Sequence, residues 1–382
     1  MEPIEKLQLK GVTRRFGATT ALDRFTLEIA GGTFVTLLGP SGCGKTTALN
    51  CLAGLLELSE GEIILNNRPI QQLPAERRGF GMVFQNYALF PHLTVFRNVS
   101  YGLEIRRVPK SEREQRVRRA LALVHLDAFE KRYPAQLSGG QQQRLALART
   151  IVLEPSLLLL DEPLSNLDTN LRNEMRIEIK RLHDQLNLTT VYVTHDQAEA
   201  MSLSDLVVVM RQGYIEQKGT PQEIYIRPRS LYVASFMGYN NRLPVEIVGR
   251  EDHYFVVQTA SGVKLQATST VEGSEGWQPG TSVLACFRPD ETQAELGAPL
   301  NTLRGRVQLV EYMGKSFESL VYLEGAEGTQ LLVQSQRAPE SGAFMDFSVH
   351  PDRFLLFPAD NQEQPGAVAP AAATEPVLEG RG

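Results

Sequence analysis

Nine consecutive residues limit what this chain can fold into: Gly39, Pro40, Ser41, Gly42, Cys43, Gly44, Lys45, Thr46 and Thr47. They fit a pattern of glycine, four free positions, then Gly-Lys-Thr, which carries meaning only between a strand and a helix. Both neighbours are predicted. Thr33–Leu38 is a short, mostly apolar run of strand formers, as for a strand buried on both faces. Lys45–Leu56 can run as a helix with Leu49, Leu52, Ala53 and Leu56 on one face. Glycines let the main chain turn tightly around a phosphate, and successive N–H groups with the helix N-terminus surround it with positive field. Lys45 would reach the β- and γ-phosphates, and the Thr46 hydroxyl would sit on Mg2+. A plain glycine-rich turn is the alternative; pattern and context together favour a bound nucleoside triphosphate.

Composition narrows the remaining classes. The 382 residues suffice for two or three domains. A formal net charge of −5 gives no footprint for nucleic acid. Cys43, Cys51 and Cys286 form no CxxC or Cys/His cluster, which points to a reducing cytoplasm rather than a disulfide scaffold or zinc site. The opening Met-Glu-Pro-Ile-Glu-Lys has no basic stretch before an apolar core, so no signal peptide is expected. No apolar run approaches a membrane span, so work at a membrane would go through a partner.

Along the chain, Leu7/Leu9 and Phe25/Leu27/Ile29 alternate with polar residues, predicting two antiparallel strands joined near Gly17, with Phe16 beside the turn. Gly61–Asn67 reads as a strand ending in an Asn-Asn turn, and Gly81–Asn86 as a short strand ending near Gln85. Residues 94–134 look helical, with Arg113, Arg116, Arg118 and Arg119 on a solvated face. Ser138 and Gln141 make a capping box opening a helix to about Leu153. A bare capping box is structural, but Gly139 and Gly140 leave this helix end clear for an anion. Ser156–Asp161 is a buried strand ending in Asp161 and Glu162. Ligands of parallel α/β sheets gather beyond such strand ends, which suits one carboxylate to Mg2+ and the other to a water. An acidic residue there can also be only the next helix cap. Thr189–Thr194 is another strand, and His195 follows its end. Strand–helix alternation through residue 210 calls for a mainly parallel sheet with helices on both faces. Beyond Pro244, short β runs at 245–248, 254–258, 263–267, 282–288, 305–310, 318–323, 330–333 and 354–357, most separated by glycine turns, predict a small barrel, and residues 359–382 should be disordered.

Taken together, these motifs resemble the ATP-binding subunits of ABC transporters over about residues 1–358. Gly39–Thr47 is similar to the Walker A loop, Gln85 to the Q-loop, Leu137–Gln141 to the Leu-Ser-Gly-Gly-Gln signature, Leu157–Pro163 to Walker B, Ser165–Asp168 to the D-loop and His195 to the switch histidine. Phe16 takes the place of the aromatic that stacks on adenine. Asn166 stands where many members have alanine, with no impairment expected. Phe84–Leu93 and the C-terminal β region look like importer ATPases of the sugar, polyamine, iron and phosphonate type, and Phe236–Asn241 leans toward the polyamine, iron and phosphonate branch.

The resemblance implies a fold and a mechanism. The fold is an α/β P-loop NTPase core over residues 1–238, with an antiparallel β subdomain and a helical subdomain at about 86–154. An all-β, oligonucleotide-fold-like barrel follows over 239–358, either a sensor or a dimerisation module. The cofactors are ATP and Mg2+, with Thr46, Asp161 and Gln85 around the ion. Glu162 is the base for the attacking water, and His195 holds the γ-phosphate. Asp168 belongs to the D-loop. Ser138, Gly139, Gly140 and Gln141 cap the nucleotide of another subunit in a homodimer, or a dimer with a paralogue. The remaining partners are integral membrane permease subunits and, indirectly, an extracytoplasmic solute-binding protein, with this chain peripheral on the cytoplasmic face of the membrane. Cys43, placed among the phosphate-cradling residues, leads to the expectation that thiol alkylation blocks hydrolysis and that ATP protects. A chromosome or DNA-repair ATPase would show heptads between Thr47 and Leu137, which are missing. A translation or resistance factor of this superfamily would carry two ATPase units. A pure sensor would survive loss of Lys45.

Overall fold

A computed structural model describes residues 4–293, 301–326 and 328–359; the expected disordered tail lies outside them apart from Ala359. The chain divides into two compact units, Met1–Pro228 and Arg229–Gly382. The division comes ahead of the boundary expected at 238. The physical reason is local: Arg288 of the second unit donates from Nε to Met237 O (2.8 Å) and lies 4.0 Å from the centre of the Tyr239 ring.

In the first unit β1 (Lys6–Phe16) and β2 (Thr19–Ala30) pair antiparallel with Leu7, Leu9, Phe25, Leu27 and Ile29 buried, as their alternation requires. Next come β3 (Phe34–Leu38), α1 (Lys45–Ala53), β4 (Glu60–Leu65), β5 (Arg68–Pro69), α2 (Ala75–Arg78) and β6 (Phe80–Val83). Helix α1 stops three residues short of the expected Leu56. Gly54 turns left-handed (φ 82°), and the N–H groups of Leu55 and Leu56 fold back onto Asn50 O. The helical stretch is α3 (Val95–Ile105), α4 (Lys110–Leu123) and α5 (Gly139–Ile151), broken where Arg107 takes φ 57° ahead of Pro109. Of the solvated arginines, Arg116 pairs with Glu112, Arg113 with Glu104 and Arg118 with Glu130.

Then follow β7 (Leu157–Asp161), α6 (Thr169–Leu186), β8 (Thr189–Thr194), α7 (Gln197–Leu203), β9 (Leu206–Arg211), β10 (Tyr214–Gly219) and α8 (Pro221–Ile226). Two sheets result, β2-β1-β4-β5 and β10-β9-β3-β8-β7-β6. In the second, every pair is parallel except β9–β10. Alternate residues of the central strands feed two cores. Phe34, Leu158, Leu160 and Tyr192 pack with the helical stretch, while Val35, Leu37, Leu157, Leu159 and Val191 pack with α1 and the antiparallel sheet.

The second unit opens with α9 (Leu231–Phe236). Its strands are β11 (Asn241–Glu251), β12 (Tyr254–Gln258), β13 (Lys264–Ala267), β14 (Ser282–Phe287), β15 (Thr292–Gln293), β16 (Thr302–Tyr312), β17 (Phe317–Leu323), β18 (Gln330–Ser335), β19 (Phe344–Val349) and β20 (Leu355–Pro358). They form two five-stranded sheets, β13-β12-β11-β14-β20 and β15-β19-β16-β17-β18, sharing one core around Phe287, Phe347 and Phe354. Strand β19 matches none of the expected runs because its burial does not alternate: Phe344 is exposed while Phe347, Ser348 and Val349 are consecutively buried.

Leu159 is fully buried on β7, between β8 and the edge strand β6. Leu159→Ala should lower unfolding free energy by about 2–5 kcal/mol in urea titration; a loss under about 1 kcal/mol would mean this layer is not packed as described.

Candidate nucleotide site

The site is assembled at the carboxyl ends of β3, β7 and β8. Leu38 is in register with Thr194 across β3 and β8, and Asp161 with Val193 across β7 and β8. Residues that follow these strand ends therefore share one edge, where parallel α/β sheets take ligands.

The phosphate loop fills this edge from β3. Gly44 takes φ 104°, and a Cβ there would stand 2.5 Å from Ala21 O, main chain that has little room to give. Lys45 is buried, and its Nζ donates to Gly39 O and Pro40 O, both at 2.8 Å. The ammonium is thus stored inside the loop on two carbonyls. Thr46 Oγ1 donates to Asp161 Oδ1 at 3.0 Å, joining the first turn of α1 to the end of β7. Burial pushes the Asp161 carboxyl above its ordinary range and nearby Glu162 adds to this, while the Thr46 hydrogen bond and Lys45 oppose it.

Glu162, one residue on, has φ 42°, an unusual conformation for a residue with a Cβ, and its N–H donates to Val193 O at 3.1 Å. This turn brings Glu162 Oε2 to 3.3 Å from His195 Nδ1. A carboxylate and an imidazole thus converge from two strand ends. A cavity of about 40 Å³ between them is lined by Glu162, Ser165, Arg172, Thr194, His195 and neighbours.

The remaining expected residues are positioned as follows. Gln85 Nε2 donates to Ser165 Oγ (3.3 Å), and Asn166 Nδ2 donates to Gln85 O (3.0 Å). The Gln85 side chain is therefore engaged with the loop after β7 rather than with Thr46 and Asp161. Asn166, expected to be a neutral variant, makes a bond that alanine could not. Asp168 caps α6, accepting from Leu171 N–H at 3.0 Å. Phe16 is half exposed with the Arg14 guanidinium 4.5 Å from its ring centre, so one ring face is already covered by a cation. Ser138 accepts from Gln141 N–H (3.4 Å) and its own N–H donates to Gln141 Oε1 (3.0 Å), the capping box read from the sequence. Gly139 is exposed, but Gly140 is buried, and a Cβ there would come within 2.6 Å of Leu171 Cδ1. Gly140 thus serves packing against α6 as well as leaving the helix end clear.

Cys43 departs from expectation. Its main chain belongs to the loop, with its carbonyl accepting from Gly213 N–H at 2.9 Å. Its thiol is buried in the apolar core beneath, and burial raises its pKa more than Lys45 lowers it. The expected sensitivity to alkylation gives way to a shielded thiol, because a motif fixes where the main chain runs and leaves the side chain free to turn inward.

Sequence reasoning also missed the layer behind His195. Tyr192 and Thr194 hydroxyls donate to Glu199 Oε2 (2.7 and 2.6 Å), and Asp196 accepts from Glu199 N–H (3.1 Å). Arg172 Nη1 lies 3.6 Å from Asp196 and its Nη2 donates to Leu167 O at 3.1 Å, linking this layer to the loop before α6. Burial pushes the Glu199 carboxyl up while both hydroxyls hold it down. Asp196 followed three residues later by Glu199 was the available signal, a capping arrangement.

A phosphate loop, an acidic strand end and a paired Glu–His at one sheet edge define a nucleotide-hydrolysing cassette. Residues 22–165 match the ABC transporter family and residues 285–357 the TOBE domain. The chain is 46% identical over 333 residues to the spermidine/putrescine import ATP-binding protein PotA of Oleidesulfovibrio alaskensis, covering 85% of this chain and 88% of that protein. It is 43% identical over 352 residues to the Fe(3+) ions import ATP-binding protein FbpC of Escherichia coli O157:H7, covering 90% and 95%. The dimeric post-hydrolysis structure of the ATP-binding cassette MJ0796, bound to ADP and Pi, superposes with a TM-score of 0.51 at 33% identity over 56% of this chain and 98% of that one. The chain belongs to the ATP-binding subunits of ABC importers, and its activity is ATP hydrolysis coupled to transport.

Cys51 is pushed up to about 11 and Cys286 to about 12 by burial, and all three cysteines are buried and free. Thiol titration of the native protein at about pH 8 should find fewer than one fast-reacting group, rising to three on denaturation. One fast group protected by ATP would restore Cys43 to the accessible face of the loop.

Proposed function

We propose that this chain drives uptake of a polyamine or ferric iron as the ATPase of an ABC importer, working as a dimer whose two sites are each built from both subunits. The observation that carries the reading is the pairing of Glu162 with His195 beside Thr46 and Asp161. The solutes named for the two relatives support polyamine or iron over phosphonate or sugar. The dimeric cassette structure supports pairing of subunits.

The residues take these roles. Loop amides and Lys45 hold the β- and γ-phosphates, the ammonium leaving its carbonyls for them. Thr46 and Asp161 present a hydroxyl and a carboxylate oxygen 3.0 Å apart, a hard-oxygen pair suited to Mg2+, with Gln85 joining after release from Ser165. The ion would neutralise phosphate charge as the terminal bond breaks. Glu162 accepts the proton of the attacking water, and His195 fixes Glu162 and then meets the γ-phosphate. Phe16 offers its uncovered ring face to adenine. Asp168 lies at the subunit contact, and Ser138, Gly139, Gly140 and Gln141 close over the partner's nucleotide.

No helix among the described residues is long and apolar enough to cross a membrane. The similarity to import ATP-binding proteins supports a place on the cytoplasmic face, held by permease subunits that receive solute from an extracytoplasmic binding protein. Residues 239–358 form its regulatory or dimerising β domain.

Glu162→Gln should leave ATP affinity within about threefold and lower turnover about a thousandfold, trapping an ATP-bound dimer. Phosphate release and ATP-dependent change in mass by light scattering test this. Turnover near that of the unaltered protein would remove Glu162 as the base.

A further inference from the structure

Helix α1 carries the phosphate-binding groups, yet beyond the left-handed stop at Gly54 it lacks the usual side-chain means of holding itself. It has nine residues, no side-chain bond at its N-cap, no acidic residue in its first turn and no basic residue in its last. A helix this short is marginal without outside support. Its N-terminus has to stay open for the phosphates, so support can come only from its sides and its C-terminal end.

That end is held by Arg78. The side chain is 6% exposed. Nη1 donates to Cys51 O (2.8 Å) and Leu52 O (2.7 Å), carbonyls of the last turn of α1. Nε donates to Leu73 O (2.9 Å) and Nη2 to Gln71 O (3.0 Å), in the connection from β5 to α2. A buried cation is here satisfied by main-chain carbonyls. The C-terminal carbonyls of a helix are the unsatisfied, negative end of its dipole, so a guanidinium is the matching group. Gly54 makes room for it: a Cβ there would stand 2.6 Å from Arg78 Nε. Arg78 is also followed directly by Gly79 and β6, the strand that leads to Gln85.

We propose that Arg78 is a positioning residue for ATP. It fixes α1 from its far end, about 13 Å from Lys45, and ties that helix to the strand that leads to Gln85. Its positive charge adds to the field at the phosphate end rather than opposing it. The proposal rests on ATP binding at Gly39–Thr47.

The test is equilibrium ATP binding by full-length wild type, Arg78→Lys and Arg78→Ala, at a temperature where circular dichroism shows each folded. Affinity should fall about tenfold in Arg78→Ala and less in Arg78→Lys, with KM for ATP changing more than kcat. A cleft of about 610 Å³ lined by Gly54, Leu73, Pro74 and Arg78 gives small solutes access to the site. Guanidinium chloride at about 20 mM, far below denaturing levels, should therefore restore affinity to Arg78→Ala while potassium chloride does not. A merely structural role would lower the melting temperature and leave affinity intact. Arg78→Ala binding ATP within twofold of wild type, or a loss that guanidinium leaves unchanged, would overturn the proposal. Should Arg78→Ala not fold, wild-type affinity in Arg78→Lys would overturn it. Failure of the wild type to bind in the same assay would instead refute the nucleotide site.

Discussion

The register of three parallel strands is the constraint on which the rest of the site depends. β3, β8 and β7 are buried on both faces, and most of their apolar residues divide between two cores. A slip of β7 by one residue would set leucine in place of leucine along most of the strand, but it would draw Ser156 or Asp161 into a fully buried position, so the polar ends hold the register. This fixes the three carboxyl ends at one edge. Thr46 and Asp161, 115 positions apart in the chain, then meet at 3.0 Å. Glu162 and His195 meet by the same logic, one residue beyond β7 and β8.

That arrangement divides the work of α1 between its ends. The N-terminal end is left without a side-chain cap, which is the condition for receiving an anion. The other end is closed by a buried guanidinium. The signature helix α5 is built differently: Ser138 and Gln141 cap it reciprocally, while exposed Gly139 keeps its end uncluttered. Gln85, Ser165 and Asn166 join the end of β6 to the loop after β7, so the residue expected at the metal is held away from it in this conformation.

Local features were legible in the sequence. The phosphate loop, the capping box and the acidic strand end are set by neighbours within a few positions, and alternation or apolar runs marked most strands. What escaped depends on distant packing. Arg78 reads as one of two arginines before a strand, and only the fold shows its guanidinium on the carbonyls of α1. The layer of Tyr192, Glu199 and Arg172 is assembled from three elements. Cys43 misled because its main chain and side chain serve different neighbours. β19 escaped because both of its faces are partly covered, which erases the period of two.

The two-subunit site is tested most directly with a dimer of unlike chains, one carrying Lys45→Ala and the other Ser138→Arg, by counting ATP trapped per dimer. If the signature acts on the partner's nucleotide, both defects fall on one site and the other keeps an intact Lys45 and an intact Ser138. One ATP per mixed dimer is then the expected result, against none in either parent dimer. No trapped ATP in the mixed dimer would mean that each chain completes its own site and would contradict the shared arrangement.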